Sequence, residues 1–292
     1  MNHPLVSVII PCYNHEQFVQ ECIQSVIDQD YQNIELIIID DGSQDQSVQK
    51  IEEMRPQCEK RFVRFEFRHR PNKGLCATLN EALKWCEGEY YSPSASDDIL
   101  LASKISKQVE TLMSVGEDIV GVFCGVFVID KSGNITSQKG RTVKKIDFHK
   151  VFLRSCFLPG QAVMLKTDII RKINGYDEDI LIEDLDLFLK IVDKRYYLTA
   201  ISTPLVKYRR HNENLSSNHN LMIDAVSRIL RKYQTNPLYP KALSNSYLIE
   251  AHGLQKKDKK KSRQYIRRAL HLYPFNLLSK SLLKYIIKEI IK

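Results

Sequence analysis

The sequence predicts an α/β protein built on a mostly parallel sheet covered by helices, with a C-terminal helical extension. Three observations carry this. The runs Leu5–Pro11 and Ile34–Ile39 are aliphatic and β-branched, as strands buried on both faces are. Strand and helix patterns then alternate as β-α-β-α-β through Phe67, the order that a parallel sheet with helical crossovers requires. From about Asn218 onward the pattern is helical, with few strand signals.

The elements follow in order. Pro11 ends the first run, and Cys12-Tyr13-Asn14 forms a turn. Asn14 with Gln17 offers a capping box for a helix over about 14–29, whose apolar face is Phe18, Cys22, Ile23, Val26 and Ile27. The second strand ends at Asp40-Asp41-Gly42-Ser43, a turn-forming cluster. A helix over Gln46–Met54 and an alternating strand over Phe62–Phe67 come next. Asn72-Lys73-Gly74 is a loop, 76–86 a helix, and 89–93 a strand that leads to Asp97-Asp98. Ser103–Met113 reads as a helix and Ile119–Ile129 as strand. A hairpin-type turn falls at Lys131–Asn134. Residues 146–158 carry no clear pattern, Ala162–Leu165 suits a strand, and Asn174-Gly175 stops a helix. Glu183-Asp184 opens a further helix bearing Leu187, Phe188 and Ile191.

The chain has 292 residues, 43% hydrophobic and 27% charged, ordinary values for a globular protein with a full core. The net charge of +8 is unevenly placed: from His252 to the end stand twelve lysines and arginines against two acids. The body before His252 is slightly acidic, which argues against nucleic acid as a partner. The seven scattered cysteines include no CxxC pair and read as thiols of a reducing compartment. No stretch has the length of a membrane span, and the N-terminal apolar run is too short for an export signal. The expectation is a cytoplasmic protein with no zinc or disulfide framework. GxGxxG after the first strand, GxxxxGK[ST] and GxSxG are all missing, which counts against dinucleotide, P-loop and nucleophile-elbow chemistry.

Asp97 and Asp98 stand where a strand gives way to a loop, the position at which open α/β sheets bind ligands. Paired carboxylates there suit a hard divalent cation that keeps water or phosphate ligands. They equally suit the start of a helix, where negative charge is favoured.

The motifs in sequence carry a resemblance. Val6–Asn14, Asp40-Asp41-Gly42-Ser43, Asn72-Lys73-Gly74 with Asn80, Gly88-Glu89-Tyr90 leading to Ser96-Asp97-Asp98, Glu183–Leu187 and Tyr208-Arg209-Arg210-His211 occur in that order. Over roughly residues 4–216 the chain resembles a family 2 glycosyltransferase of GT-A fold. The resemblance implies transfer of a sugar from a nucleotide-diphosphate donor, a UDP-sugar by preference, with inversion at the anomeric carbon. The acceptor would be a hydroxyl of a glycan or a lipid-linked acceptor in cell-surface polysaccharide synthesis, and the cofactor Mn2+ or Mg2+.

Residue by residue, the resemblance places Pro11, Tyr13 and Asn14 against the nucleoside and Asp41 on the uracil imide. Asn72 and Lys73 would line the nucleotide site, although Lys73 suits a solvated loop equally well. Asp97 matches the metal-binding last aspartate of the DxD motif. Ala95 stands where its first aspartate is expected, so Asp98 is drawn in as a substitute on the nucleotide side. His211 matches a histidine that completes the metal or pyrophosphate site, with Arg209 beside it for phosphate. Asp184 matches the catalytic base that takes the proton of the acceptor hydroxyl. A nucleotidyltransferase and a catalytically degenerate sugar-nucleotide-binding relative remain the alternatives.

The expected division is a transferase domain over 1–216 and a basic helical extension over 217–292. Gln264–Leu270 followed by Tyr273-Pro274 resembles the end of a tetratricopeptide-like helix, without a second copy at a clean period. Near the end, Leu282, Leu283, Ile286, Ile287, Ile290 and Ile291 make an apolar face, and Lys280, Lys284, Lys288 and Lys292 recur every fourth residue. Such a helix suits an anionic membrane surface, which would make the protein peripheral at the inner membrane face. It suits equally well packing on its neighbour with the lysines in solvent.

Overall fold

The structure is a computed structural model and describes residues 3–211, 214 and 217–290. Residue 216 at the expected boundary, the Ile290 side chain, Ile291 and Lys292 lie outside that description. The chain divides into two compact units. One holds the chain up to Phe148 together with Phe157–His211; the other holds His149–Cys156 and the chain from residue 212 on. The middle of the segment without a clear sequence pattern, His149–Cys156, thus clusters with the second unit.

The first unit opens with β1 (Val6–Cys12), α1 (Val19–Ile27), β2 (Ile34–Asp40), α2 (Ser47–Arg61), β3 (Arg64–His69), α3 (Leu75–Trp85), β4 (Tyr90–Pro93), β5 (Ile99–Leu100) and α4 (Lys104–Ser114). It continues with β6 (Ile119–Ile129), β7 (Ile135–Lys139), β8 (Val143–Ile146), β9 (Val163–Lys166), α6 (Thr167–Lys172), α7 (Glu183–Asp193) and β10 (Tyr197–Arg209); α5 (Phe148–Phe152), before β9 in sequence, falls to the second unit from His149 on. The main path of the sheet runs β3-β2-β1-β4-β9-β6-β10-β5. β3, β2, β1 and β4 are parallel, as the aliphatic runs predict. β9 then enters antiparallel to both β4 and β6. β6 and β10 run parallel to each other.

Burial explains the first strands. Every residue of β1 except Pro11, and every residue of β2, is buried. They pair without a slip from Val6↔Ile34 to Cys12↔Asp40. α1 lays Val19, Cys22, Ile23 and Val26 into the core at helical spacing. It starts five residues later than the capping box suggests. Asn14 has φ of 53°, and its Oδ1 accepts from the Gln44 backbone N–H at 2.8 Å, so its side chain serves the neighbouring loop instead of a helix end.

One buried carboxylate ties the sheet together. Glu35 on β2 accepts from Arg64 at 2.9 Å, from the Gly88 N–H at 2.9 Å and from the hydroxyl of Ser7. Gly88 is required there: a Cβ would sit 2.5 Å from Ser7 Oγ and 2.6 Å from Ser7 N. The entry into β4, and so the position of the residues after it, rests on this close approach.

At the other end, β5 pairs antiparallel with β10, Ile99 opposite Lys207 and Leu100 opposite Val206. That pairing brings the Asp97-Asp98 turn, just before β5, to the end of β10, where Arg209 and His211 follow. All seven cysteines are free thiols.

The second unit is helical: α8 (His219–Arg231), α9 (Tyr239–Leu254), α10 (Lys259–Leu272) and α11 (Lys280–Ile290). Asn218 caps α8 and Asp258 caps α10 by accepting backbone N–H groups. Ile223, Ala251, Leu254, Tyr265 and Tyr285 form one apolar cluster, and Leu248, Ala269 and Leu282 another. The 149–156 segment is held by Asn245, which donates to Leu153 O at 2.9 Å, and by Phe152 edge-on to Tyr233. Among the described residues no helix is long and apolar enough to cross a membrane.

Candidate active site

The carboxyl ends of β1, β2 and β4 open on one edge of the sheet, and loops of quite different sequence meet there. Between them lies a cavity of about 120 Å³. Pro11 from β1, Pro93 and Ala95 from the end of β4, Leu75 and Leu79 from α3, and Glu183 and Asp184 from α7 line it. Two predicted residues far apart in the chain, Pro11 and Asp184, therefore share one cavity.

Asp184 is the second residue of α7, where the free backbone N–H groups of a helix start favour negative charge. Its Oδ1 accepts from the Leu185 N–H at 2.6 Å. Gly160 passes close over it: a Cβ there would lie 3.3 Å from Asp184 Oδ2. Glu183 is held differently. Burial pushes its carboxyl up to about 8, and the charge of Asp184 adds to the effect. Glu183 therefore holds a proton more tightly than an ordinary carboxyl does.

A second cluster lies at the ends of β1, β4 and β10. His15, Asp97 and His211 each offer one ligand atom, and these atoms lie within 4.8 Å of one another. His211 Nε2 is 3.1 Å from Asp97 Oδ2, and His15 Nδ1 is 2.7 Å from Ser96 Oγ. The Phe18 ring stacks on His211 at 5.7 Å, fixing its plane. Asp97 and His211 are expected ligands; His15 is an addition that no motif announced. Two imidazoles and one carboxylate fit a divalent cation, Mn2+ better than Mg2+, since nitrogen ligands suit the softer ion.

Asp98 and Arg209 lie beneath this cluster and brace it. Asp98 is fully buried and accepts the Arg209 backbone N–H at 2.7 Å, while its Oδ2 meets no hydrogen-bond partner among the described residues. Burial and the adjacent Asp97 push its carboxyl well above the usual carboxylate range. Arg209 donates to Asp97 O at 2.8 Å, to Lys131 O at 3.0 Å and to Glu21 at 2.5 Å, with its guanidinium 4.8 Å from the centre of the Phe18 ring. Both were expected to face a nucleotide. Burial leaves the Asp98 carboxyl and the Arg209 guanidinium little access to solvent.

The nucleoside-side residues spread along the same edge. Asp41 accepts from the backbone N–H groups of Lys73 at 2.8 Å and Gly74 at 2.9 Å, and from Arg70. These three donors leave one lone-pair position on Oδ2. Gly42 takes φ of 81° with the Asn72 N within 2.7 Å of where a Cβ would be, so the Asp41 and Asn72 loops lie against each other. Asn72 accepts the Gly74 N–H at 3.1 Å, and Lys73 is exposed. Tyr13 is also exposed, beside the cavity-lining Pro11.

Comparisons with known proteins bear on the family and the fold. Residues 7–173 match the family model described as Glycosyl transferase family 2. A glycosyltransferase of Rickettsia typhi, described as uncharacterized, is 30% identical over 216 residues, 72% of this chain and 65% of its own. One from Haemophilus influenzae, also uncharacterized, is 29% identical over 275 residues, 88% of this chain and 83% of its own. The chain spans less than two thirds of the Rickettsia typhi protein and 34% of a Rickettsia bellii one. Among solved structures, S. aureus TarS 1–349 in complex with UDP-GlcNAc superposes with a TM-score of 0.66 at 17% identity, covering 91% of this chain and 79% of that one. The mannosyltransferase PcManGT of Pyrobaculum calidifontis, in complex with GDP-Man and Mn2+, gives 0.61 at 17%, covering 99% and 88%. The shared architecture is the GT-A fold. With the family model spanning more than half of its length, the chain belongs to glycosyl transferase family 2.

Proposed function

We propose that the protein is an inverting glycosyltransferase that moves a sugar from a nucleoside-diphosphate donor, a UDP-sugar, to a hydroxyl of a glycan or lipid-linked acceptor in cell-surface polysaccharide synthesis. The observation that carries the reading is Asp184 at a helix start, lining one cavity with Pro11 and Ala95.

The residues divide the work. The remaining lone pair of Asp41 is an acceptor for a base N–H, with Tyr13 and Pro11 as apolar surface beside it. Lys73 supplies a mobile cation for the diphosphate. His15, Asp97 and His211 would hold Mn2+, which when bound neutralises charge on a departing diphosphate. Asp184 takes the proton from the acceptor hydroxyl as that oxygen attacks the anomeric carbon from the face opposite the diphosphate. Arg209 and Asp98 act through Asp97 by fixing its turn. The UDP-GlcNAc of TarS and the GDP-Man of PcManGT support the donor class, and the Mn2+ of the latter supports the metal.

The test is Asp184→Asn. Donor binding by calorimetry is expected to persist, while turnover falls about 10²–10⁴-fold, the usual worth of a positioned base. Near-normal turnover would assign the base elsewhere.

A further inference from the structure

The end of the second unit exposes more apolar surface than its packing uses. Phe275, Leu277 and Leu278, just before α11, are 73%, 62% and 90% exposed. Leu283, Ile286 and Ile287 on α11 are exposed as well. They are not the residues that attach the helix: Leu282 and Tyr285 do that, buried in the two apolar clusters of the unit. At 3.6 residues per turn, Leu283, Ile286 and Ile287 share one arc; Ile286 borders the buried Leu282, and Leu283 and Ile287 turn away from both Leu282 and Tyr285. Lys280, Lys284 and Lys288 occupy the adjoining arc, and all three are exposed. Glu289, the one acid of this helix, lies on the packed side and is bound by Arg263 at 3.2 Å.

We propose that this face is a membrane-docking surface: Phe275, Leu277, Leu278, Leu283, Ile286 and Ile287 enter the acyl boundary of an anionic leaflet, and the Lys280/284/288 stripe meets its phosphates. Three features select this occupant. An apolar arc bordered by a lysine arc is the arrangement of a helix lying in the plane of a bilayer interface. Exposed apolar patches rimmed by charge mark interaction sites, since isolated surface apolar residues do not cluster this way. A second copy of the chain is disfavoured, because a symmetric contact would set lysine stripes together on a segment with twelve basic residues and two acids. The docking is reversible, because no helix among the described residues spans a bilayer.

The inference stands apart from the transfer reaction, and the experiment keeps the two apart. Full-length protein is sedimented with vesicles of phosphatidylcholine alone, or with roughly one third phosphatidylglycerol, at low and high salt. Binding is expected to be at least about tenfold stronger to the anionic vesicles and to fall with salt. Lys280→Glu/Lys284→Glu/Lys288→Glu should abolish the preference for anionic lipid. Leu278→Ser/Ile287→Ser should weaken binding at every salt concentration, with circular dichroism confirming retained helix. Asp184→Asn should bind vesicles like the wild type. Equal recovery in the supernatant with both vesicle types at low salt overturns the proposal. So does a dimer by light scattering that the Leu278→Ser/Ile287→Ser protein lacks, if vesicle binding is absent.

Discussion

Glu183 and Asp184 are adjacent acids that the fold treats unequally, and that inequality is measurable. Folded, Glu183 holds its proton up to about 8; unfolded, it titrates near the ordinary 4.5. Between those values the folded state binds the extra proton, so the stability due to this group falls as pH rises through that window. Glu183→Gln keeps the shape and removes the titration. Its melting temperature is expected to exceed that of the wild type by more at pH 8 than at pH 5. Equal gains at both pH values would show that the group does not titrate as described. His15 gives a second case. His15→Ala should weaken Mn2+ binding about 10–100-fold, read by paramagnetic resonance of the free ion, while the fold is kept. The sequence reveals these residues unevenly. Asp97, His211 and Asp184 are visible because each sits in an ordered string of motifs. His15 carries no such signal, since its partners lie some eighty and two hundred residues away. The only hint is its place beside Asn14 at the mouth of the first strand. The hydrogen bonds of Arg209 to Asp97 O and Glu21 are not legible in sequence, because a guanidinium next to an expected phosphate site looks the same there whichever partners it finds.

Elements show the same division between local and distant causes. β1, β2 and β6 are legible because their aliphatic runs are uninterrupted. β10 is not: Thr199, Ser202, Thr203 and Pro204 break its pattern, and its pairing with β6 shifts register around them. The antiparallel β9 is legible as a strand but not in its place between β4 and β6, which depends on contacts across the whole sheet. The start of α1 moved because Asn14 found a partner on another loop. Gly88 is the element-scale feature most open to test. Its conformation is ordinary, yet Ser7 leaves no room for a methyl group. Gly88→Ala is expected to cost about 1–3 kcal/mol by urea unfolding, the range of overpacking. A change below about 0.5 kcal/mol, the level of a neutral surface substitution, would mean that β4 can shift away from β1 freely.

At the scale of the molecule, each unit has apolar clusters of its own among the described residues, a large one in the sheet unit and smaller ones in the helical unit. Leu248, 1% exposed, belongs to the helical one. Leu248→Ala should lose about 2–5 kcal/mol there. Scanning calorimetry is expected to show one transition moving and the other staying. A single transition shifting as a whole would join the two units in one cooperative fold. Composition announced the helical unit through its charge and loss of strand signals, but not its membership. Nothing in the pattern of 146–158 says that His149–Cys156 packs with residues made long afterwards.

That detour has a consequence for how the chain is made. A ribosome delivers His149–Cys156 well before α9, whose Asn245 holds Leu153. It also delivers β6 well before β10, the strand that pairs along it. During synthesis, the emerging polypeptide carries an open sheet edge and a stranded helical turn at the same time, both waiting on residues still inside the tunnel. Edges of that kind are where nascent chains pair wrongly or recruit chaperones. A gene cut at residue 216 would leave that turn without Asn245, the side chain that holds Leu153.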